Sequence, residues 1–81
     1  ALIVFETEHV AGALHRALGA FAECGVNLSR IESRPAGGTP WRYRFLVQVE
    51  GDARREPLRS ALRALRHRAR SVRVLGSFRS A

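Results

Sequence analysis

Gly12-Ala13-Leu14-His15-Arg16-Ala17-Leu18-Gly19-Ala20-Phe21-Ala22-Glu23-Cys24-Gly25-Val26-Asn27-Leu28, followed by Ile31-Glu32-Ser33-Arg34-Pro35, is the stretch on which the fold turns. Leu14, Leu18 and Phe21 fall at spacings of four and three, with Ala17 and Ala22 beside them, which predicts an amphipathic helix over residues 12–23. Its other face carries His15, Arg16 and Glu23. Gly19 costs about 1 kcal/mol relative to Ala in mid-helix, and points to close approach of another backbone or to simple tolerance. Gly25 is the residue type that ends a helix in a left-handed turn. Residues 27–35 then read as a strand. Leu28 and Ile31 are three apart, which breaks strict alternation and predicts a bulge near Ser29 and Arg30.

Working outward, Leu2-Ile3-Val4-Phe5 is a branched, aromatic run too short to be a buried helix, so residues 1–6 form a central strand and residues 7–11 a loop. Residues 35–40 hold two prolines and two glycines and form a second loop. From Trp41, the residues Tyr43, Phe45, Val47 and Val49 share one face, with Arg42, Arg44, Gln48 and Glu50 opposite. This is a long antiparallel strand over residues 41–50, with Leu46 the only break on its polar side. After a loop at 51–56, Pro57 sits in the first turn of a helix whose buried stripe is Leu58, Ala61, Leu62, Leu65 and Ala69. Residues 71–78, with Val72 and Val74 alternating against Arg73 and Leu75, make a last strand. The order predicts an α+β, ferredoxin-like βαββαβ fold, with two helices on one face of a four-stranded antiparallel sheet.

An 81-residue chain with 46% hydrophobic residues is one small domain. A core of this size supplies roughly 3–5 kcal/mol of net stability, so a further staple is expected. One cysteine, Cys24, makes no internal disulfide, and three scattered histidines without a cysteine cluster make no metal site. Pairing with a second copy is the expected staple. The lone thiol fits a reducing, cytoplasmic compartment. No apolar run approaches the roughly 20 residues that span a bilayer, so no membrane partner is expected. The apolar start, without a charged leader, reads as a domain cut from a longer protein.

The net charge is +7, and all 14 basic residues are Arg with no Lys. Together with abundant Ala, this fits a codon-composition bias. Arg59, Arg63, Arg66 and Arg70 would nonetheless form one basic helical face, the feature a nucleic-acid-binding module would use. No aromatic residue lies between Phe45 and Phe78 to stack bases, so nucleic acid is not the expected partner.

No catalytic constellation is present. His9, His15 and His67 have no carboxylate at relay spacing. Cys24 ends a helix, where a thiolate is not activated. Glu6 and Glu8 read as solvated, and Gly37-Gly38 lies between prolines, not in a phosphate loop, so no cofactor is expected. What remains is the helix start. His9, Val10 and Ala11 include no good N-cap side chain, leaving the first helical N–H groups in need of an acceptor, either water or a ligand. Gly12, without a Cβ, would let a carboxylate approach the amides of Ala13 and Leu14. Asn27 lies at the other end of a helix about 18 Å long, so it joins the same ligand only across a dimer interface.

Gly12-Ala13-Leu14, Asn27-Leu28, Ile31-Glu32-Ser33-Arg34-Pro35, Trp41 with Tyr43 and Phe45, and Leu75-Gly76-Ser77 together resemble the ACT domain that ends prephenate dehydratases and bifunctional chorismate mutase–prephenate dehydratases. The resemblance spans essentially the whole chain. The regulatory domains of aromatic amino-acid hydroxylases share Glu-Ser-Arg-Pro, whereas Trp41, Tyr43 and the Leu-Gly-Ser ending favour the dehydratases. The chain departs from the pattern at Ala11 (often Pro), His15 (often Val) and Phe78 (often Tyr). The resemblance implies a homodimer binding L-phenylalanine at its interface as the effector that inhibits a catalytic domain of the parent chain, with no dehydratase activity in these residues alone. It also implies a site lined by Gly12, Ala13, Leu14, Asn27, Leu28 and Ile31, with Glu32 and Ser33 shaping it. Two other readings stand beside it: the basic nucleic-acid module and a pure dimerisation domain.

Overall fold

The computed structural model describes residues 1–8, 11–35 and 42–76, with Pro35 and Arg42 described by backbone alone. Six elements follow in order: β1 (Leu2–Glu8), α1 (Ala13–Glu23), β2 (Leu28–Pro35), β3 (Arg42–Val49), α2 (Leu58–Arg66) and β4 (Ser71–Gly76). The strands form one antiparallel sheet in the order β2-β3-β1-β4, so the apolar β1 is central as expected. Its core-facing residues Ile3 and Phe5 are fully buried, and Phe5 stacks on Phe45 with ring centroids 5.3 Å apart. Phe45, Val47 and Val49 join Ala17, Ala20 and Phe21 of α1 and Leu58, Ala61, Leu62 and Leu65 of α2 in one cluster. Both helices therefore lie on one face. The residues between those positions, Leu2, Val4, Leu46 and Gln48, are half-buried on the other.

β1 runs two residues further than its sequence implies. Thr7 lies opposite Tyr43 and is buried, so the loop expected at 7–11 does not include Thr7 and Glu8. A single hydroxyl does not end a strand when the β-branched residue continues the Ile3, Phe5 face and a partner strand continues with it.

α1 ends as Gly25 dictates. Gly25 has φ 71°, its N–H donates to the Ala22 carbonyl (3.1 Å), and the Val26 N–H donates to Phe21 (2.9 Å), with Val26 buried. That is the Schellman pairing with its apolar contact. The buried residues of α1 are Ala13, Ala17, Ala20 and Phe21, while Leu14 and Leu18 are half-buried and Ala22 is exposed. The stripe is rotated from the one drawn through the leucines, because small side chains allow the helix close approach to its neighbours. Gly19 is not met by a backbone. A Cβ there would stand 3.2 Å from Arg68 Nη1 and 3.2 Å from Glu23 Oε2, so the glycine leaves room for an ion pair.

β2 contains the expected irregularity. Leu28 pairs with Val49 and Arg30 with Gln48, leaving Ser29 as the extra residue, its hydroxyl donating to the Gln48 carbonyl (3.2 Å). This returns Ile31 to the face of Leu28 and explains their spacing of three. Pro57 precedes α2 as its cap, not as its first residue, and Leu58, Ala61, Leu62 and Leu65 form the buried stripe. Burying each of these leucines contributes about 1.5–3 kcal/mol. α2 ends at Arg66, so Ala69 and Arg70 lie beyond it and the basic face keeps only Arg59, Arg63 and Arg66. The 36–40 loop, Trp41 and the Ser77–Phe78 end of the last strand fall outside the described residues.

Candidate functional site

At the start of α1, Gly12 has φ 81° and serves as N-cap, with its carbonyl accepting from the Arg16 N–H (2.9 Å). Among the described residues no side chain caps this end, and no acidic residue occupies the first turn. The N–H groups of Ala13, Leu14 and His15 thus have no intrahelical acceptor and carry the positive end of the helix dipole. Arg16 folds back over the turn, its Nη1 3.2 Å from where a Cβ on Gly12 would stand. Among the described residues, Arg16 has no ion-pair partner. Gly12 is exposed, Leu14 half-buried and Ala13 buried.

The strand register places the second group. Thr7 lies opposite Tyr43 and Tyr43 opposite Pro35, so the end of β2 and the start of α1 belong to the same end of the sheet within one protomer. Ser33 reaches Phe5 through Phe45, two strand spacings or about 10 Å away. Directly opposed residues share a face. Ile31 (opposite Val47) and Ser33 (opposite Phe45) therefore lie on the helix side, yet Ile31 is 44% exposed and Ser33 is exposed because no helix covers the edge strand there. Glu32, opposite Leu46, lies on the other face, where it pairs with Arg30 and, at 3.9 Å, with Arg34. Asn27 and Leu28 sit at the far end of the sheet. The Asn27 carbonyl accepts from Glu50 N–H (3.1 Å), and Leu28 is half-buried against the core. One protomer thus places Gly12, Ala13 and Leu14 after the Glu8 end of β1, with Ser33 level with Phe5 in mid-sheet and Ile31 level with Ile3 toward the other end, and keeps Asn27 an 11-residue helix away.

Several other ionisable residues are engaged structurally. Glu6 accepts from Ser71 Oγ (3.1 Å) and faces Arg44 (3.6 Å), and Glu8 pairs with Arg70 (2.6 Å). Arg68 donates through both Nη atoms to Glu23 (2.7 and 2.8 Å) and from Nη1 to the Arg16 carbonyl (3.0 Å). The hydrogen bond from Arg68 holds the Glu23 carboxyl below the usual carboxylate range, and the same bond raises the guanidinium. Neither partnership has a local signal in sequence, since Arg68 and Glu23 are 45 residues apart. His15 and His67 are exposed and Cys24 is half-buried. Among the described residues no three His, Cys, Asp or Glu side chains group to hold a metal, and no helix is long and apolar enough to cross a membrane. The described aromatic residues of the sheet, Phe5, Tyr43 and Phe45, all lie on its helix side. The open face presents Leu2, Val4 and Leu46 in their place, which is no platform for stacked bases.

A family model described as the ACT domain matches residues 1–67. The chain belongs to the ACT domain family. This ACT domain is 40% identical over 76 residues to the bifunctional chorismate mutase/prephenate dehydratase of Aquifex aeolicus, covering 94% of this chain and 21% of that protein. It is 42% identical over 78 residues to the prephenate dehydratase of Corynebacterium glutamicum, covering 96% and 25%. The chain thus spans about a quarter or less of these relatives. A solved prephenate dehydratase from Arthrobacter aurescens in complex with L-Phe superposes with a TM-score of 0.85 at 39% identity, over 98% of this chain and 25% of that one. A chain described as GqqA, a novel type of quorum quenching acylase, superposes with a TM-score of 0.94 at 34% identity, over 99% and 41%. The same fold at similar identity therefore occurs in chains described by different activities.

Proposed function

We propose that this ACT domain is the regulatory part of a longer prephenate dehydratase, and that two copies bind L-phenylalanine at their interface to inhibit the attached catalytic domain. The observation that carries the reading is the uncapped start of α1, where left-handed Gly12 opens the amides of Ala13 and Leu14; the uncovered strip at Ile31 and Ser33 on the helix side of β2 supports it as a surface for a second copy. The amides and Arg16 suit a carboxylate, and the half-buried Leu14 suits an aromatic side chain. A second copy laid against β2 would cover Ile31 and bring an Asn27 from across the interface, which one protomer cannot do. The solved relative in complex with L-Phe supports the ligand.

Binding shifts the attached enzyme only through differential affinity for two arrangements of the pair, typically about 1–3 kcal/mol. In this reading the catalytic groups belong to the attached domain, this domain works without a cofactor, and the enzyme acts in the cytoplasm. Sedimentation velocity with and without L-phenylalanine tests the assembly: a dimer favoured by ligand supports the reading, and a monomer that binds ligand equally well overturns the interfacial site.

A further inference from the structure

The turn that follows α2 is fastened at two points. Arg68 reaches α1, gripping the Glu23 carboxylate and the Arg16 carbonyl across Gly19. Two residues on, the Arg70 N–H donates to the Glu6 carbonyl (2.8 Å) and its guanidinium pairs with Glu8 at the end of β1. The end of β1 and the start of α1 are the two anchors of the segment that presents Gly12. Both are held by one four-residue turn, around a shared cleft of about 240 Å³ lined by Thr7, Glu8, Ala13, Arg16, Arg68 and Arg70, among others.

We propose that Arg68 is a positioning residue for the effector turn, and that with Arg70 it straps the first turn of α1 against the end of β1 so that the Ala13 and Leu14 amides are held ready for a carboxylate. Arg68 does not touch the ligand. It acts through the Arg16 carbonyl and Glu23, its guanidinium lying beside Gly19. A bidentate guanidinium–carboxylate pair fixes geometry in a way that a single lysine charge does not. The ligand half of this proposal rests on the amino-acid-binding reading above; the strap itself does not.

The test has two readouts. In the apo protein, amide hydrogen exchange is compared between wild type and Arg68→Gln. Exchange at Arg16, Ala17 and Leu18 is expected to accelerate, while Phe45 and Val47 in the sheet, which report global opening, keep their rates relative to the change in overall stability. The dissociation constant for L-phenylalanine is expected to rise at least about fivefold, the lower end of typical coupling between separate positions. Arg68→Lys, which keeps a donor for the Arg16 carbonyl and a charge for Glu23 but not the bidentate pair, should recover part of both effects, whereas the charge-swapped pair Glu23→Arg with Arg68→Glu, which turns a carboxylate toward that carbonyl, should recover neither. Unchanged exchange at Arg16–Leu18 in Arg68→Gln overturns the strap whatever the ligand does. Faster exchange with an unchanged dissociation constant overturns the positioning role. Wild-type protein that binds no L-phenylalanine overturns the amino-acid reading, and with it the positioning role, while the exchange result still decides the strap.

Discussion

Glu32 and Ser33 are adjacent in the chain and stand on opposite faces of the sheet, Ser33 against Phe45 on the helix side and Glu32 against Leu46 on the other. A motif that reads as one unit in sequence is therefore split by the pleat. Its odd members Ile31 and Ser33 face the proposed interface, whereas Glu32 ties Arg30 and Arg34 into a charged row along the opposite face. Glu32→Gln should leave L-phenylalanine affinity within about twofold, since exposed ion pairs contribute about 0–1 kcal/mol. Titration calorimetry checks this, and a loss comparable to that of Gly12→Val would place Glu32 at the ligand.

Ile31→Glu places a charge on the uncovered strip. Because Ile31 is 44% exposed in a single copy, the monomer's own stability should change by no more than about 0.5 kcal/mol. The dimer, which would bury that charge without a partner, should dissociate. Sedimentation measures the dimer and a urea melt of the monomer measures the fold.

Gly12→Val acts twice on the site. The left-handed φ of 81° costs a side chain about 1–2 kcal/mol, more for a β-branched one, and the Cβ would stand 3.2 Å from the Arg16 guanidinium. L-phenylalanine binding should be lost while the fold survives, as seen by calorimetry and circular dichroism.

Two other glycines should respond in opposite senses. Gly25 has φ 71° and open space around it, so Gly25→Ala should destabilise by about 1 kcal/mol from backbone strain alone. Gly19 is helical, and a Cβ there meets only the flexible ends of Arg68 and Glu23. The gain in helix propensity, up to about 1 kcal/mol, should outweigh a shift of those ends, so Gly19→Ala should be neutral to stabilising in thermal melts.

The pH dependence follows from Glu23. Its folded-state pKa lies below the unfolded value because Arg68 donates to the carboxylate. The pair's contribution is therefore complete above the ordinary carboxylate range and is lost as pH falls through the depressed value. The difference in melting temperature between wild type and Arg68→Gln should be largest near neutrality and shrink on acidification from about pH 5 to pH 3. A difference that grows in acid would contradict the assignment.

The element order, the Gly25 stop, the bulge at Ser29 and the buried stripe of α2 were all legible in sequence, because each rests on local geometry or on a periodicity fixed by one face. Three features were not. Thr7 looks like a loop residue and is a buried strand residue because its neighbour on β3 continues. Leu14 and Leu18 look like the core of α1, but Ala13, Ala17 and Ala20 are closer to its neighbours, since which part of an apolar stripe is innermost depends on how near the next layer comes. Arg70 completes a basic helical face on paper, yet the helix ends at Arg66 and Arg70 turns to Glu8. The uncapped helix start at Gly12 could be read in advance. The uncovered edge at Ile31 and Ser33, and the grip of Arg68 on α1, depend on strand order and long-range pairing that no local pattern carries.

The most direct test of the central claim is a thermal melt at fixed protein concentration with L-phenylalanine, D-phenylalanine or no ligand. L-phenylalanine at about 100 times its dissociation constant should add about 2.7 kcal/mol to the folded state. For a domain this small each kcal/mol moves the midpoint by roughly 4–8 °C. A clear rise is expected with the L-enantiomer alone, abolished by Gly12→Val. An equal rise with both enantiomers, or none with either, would contradict the claim.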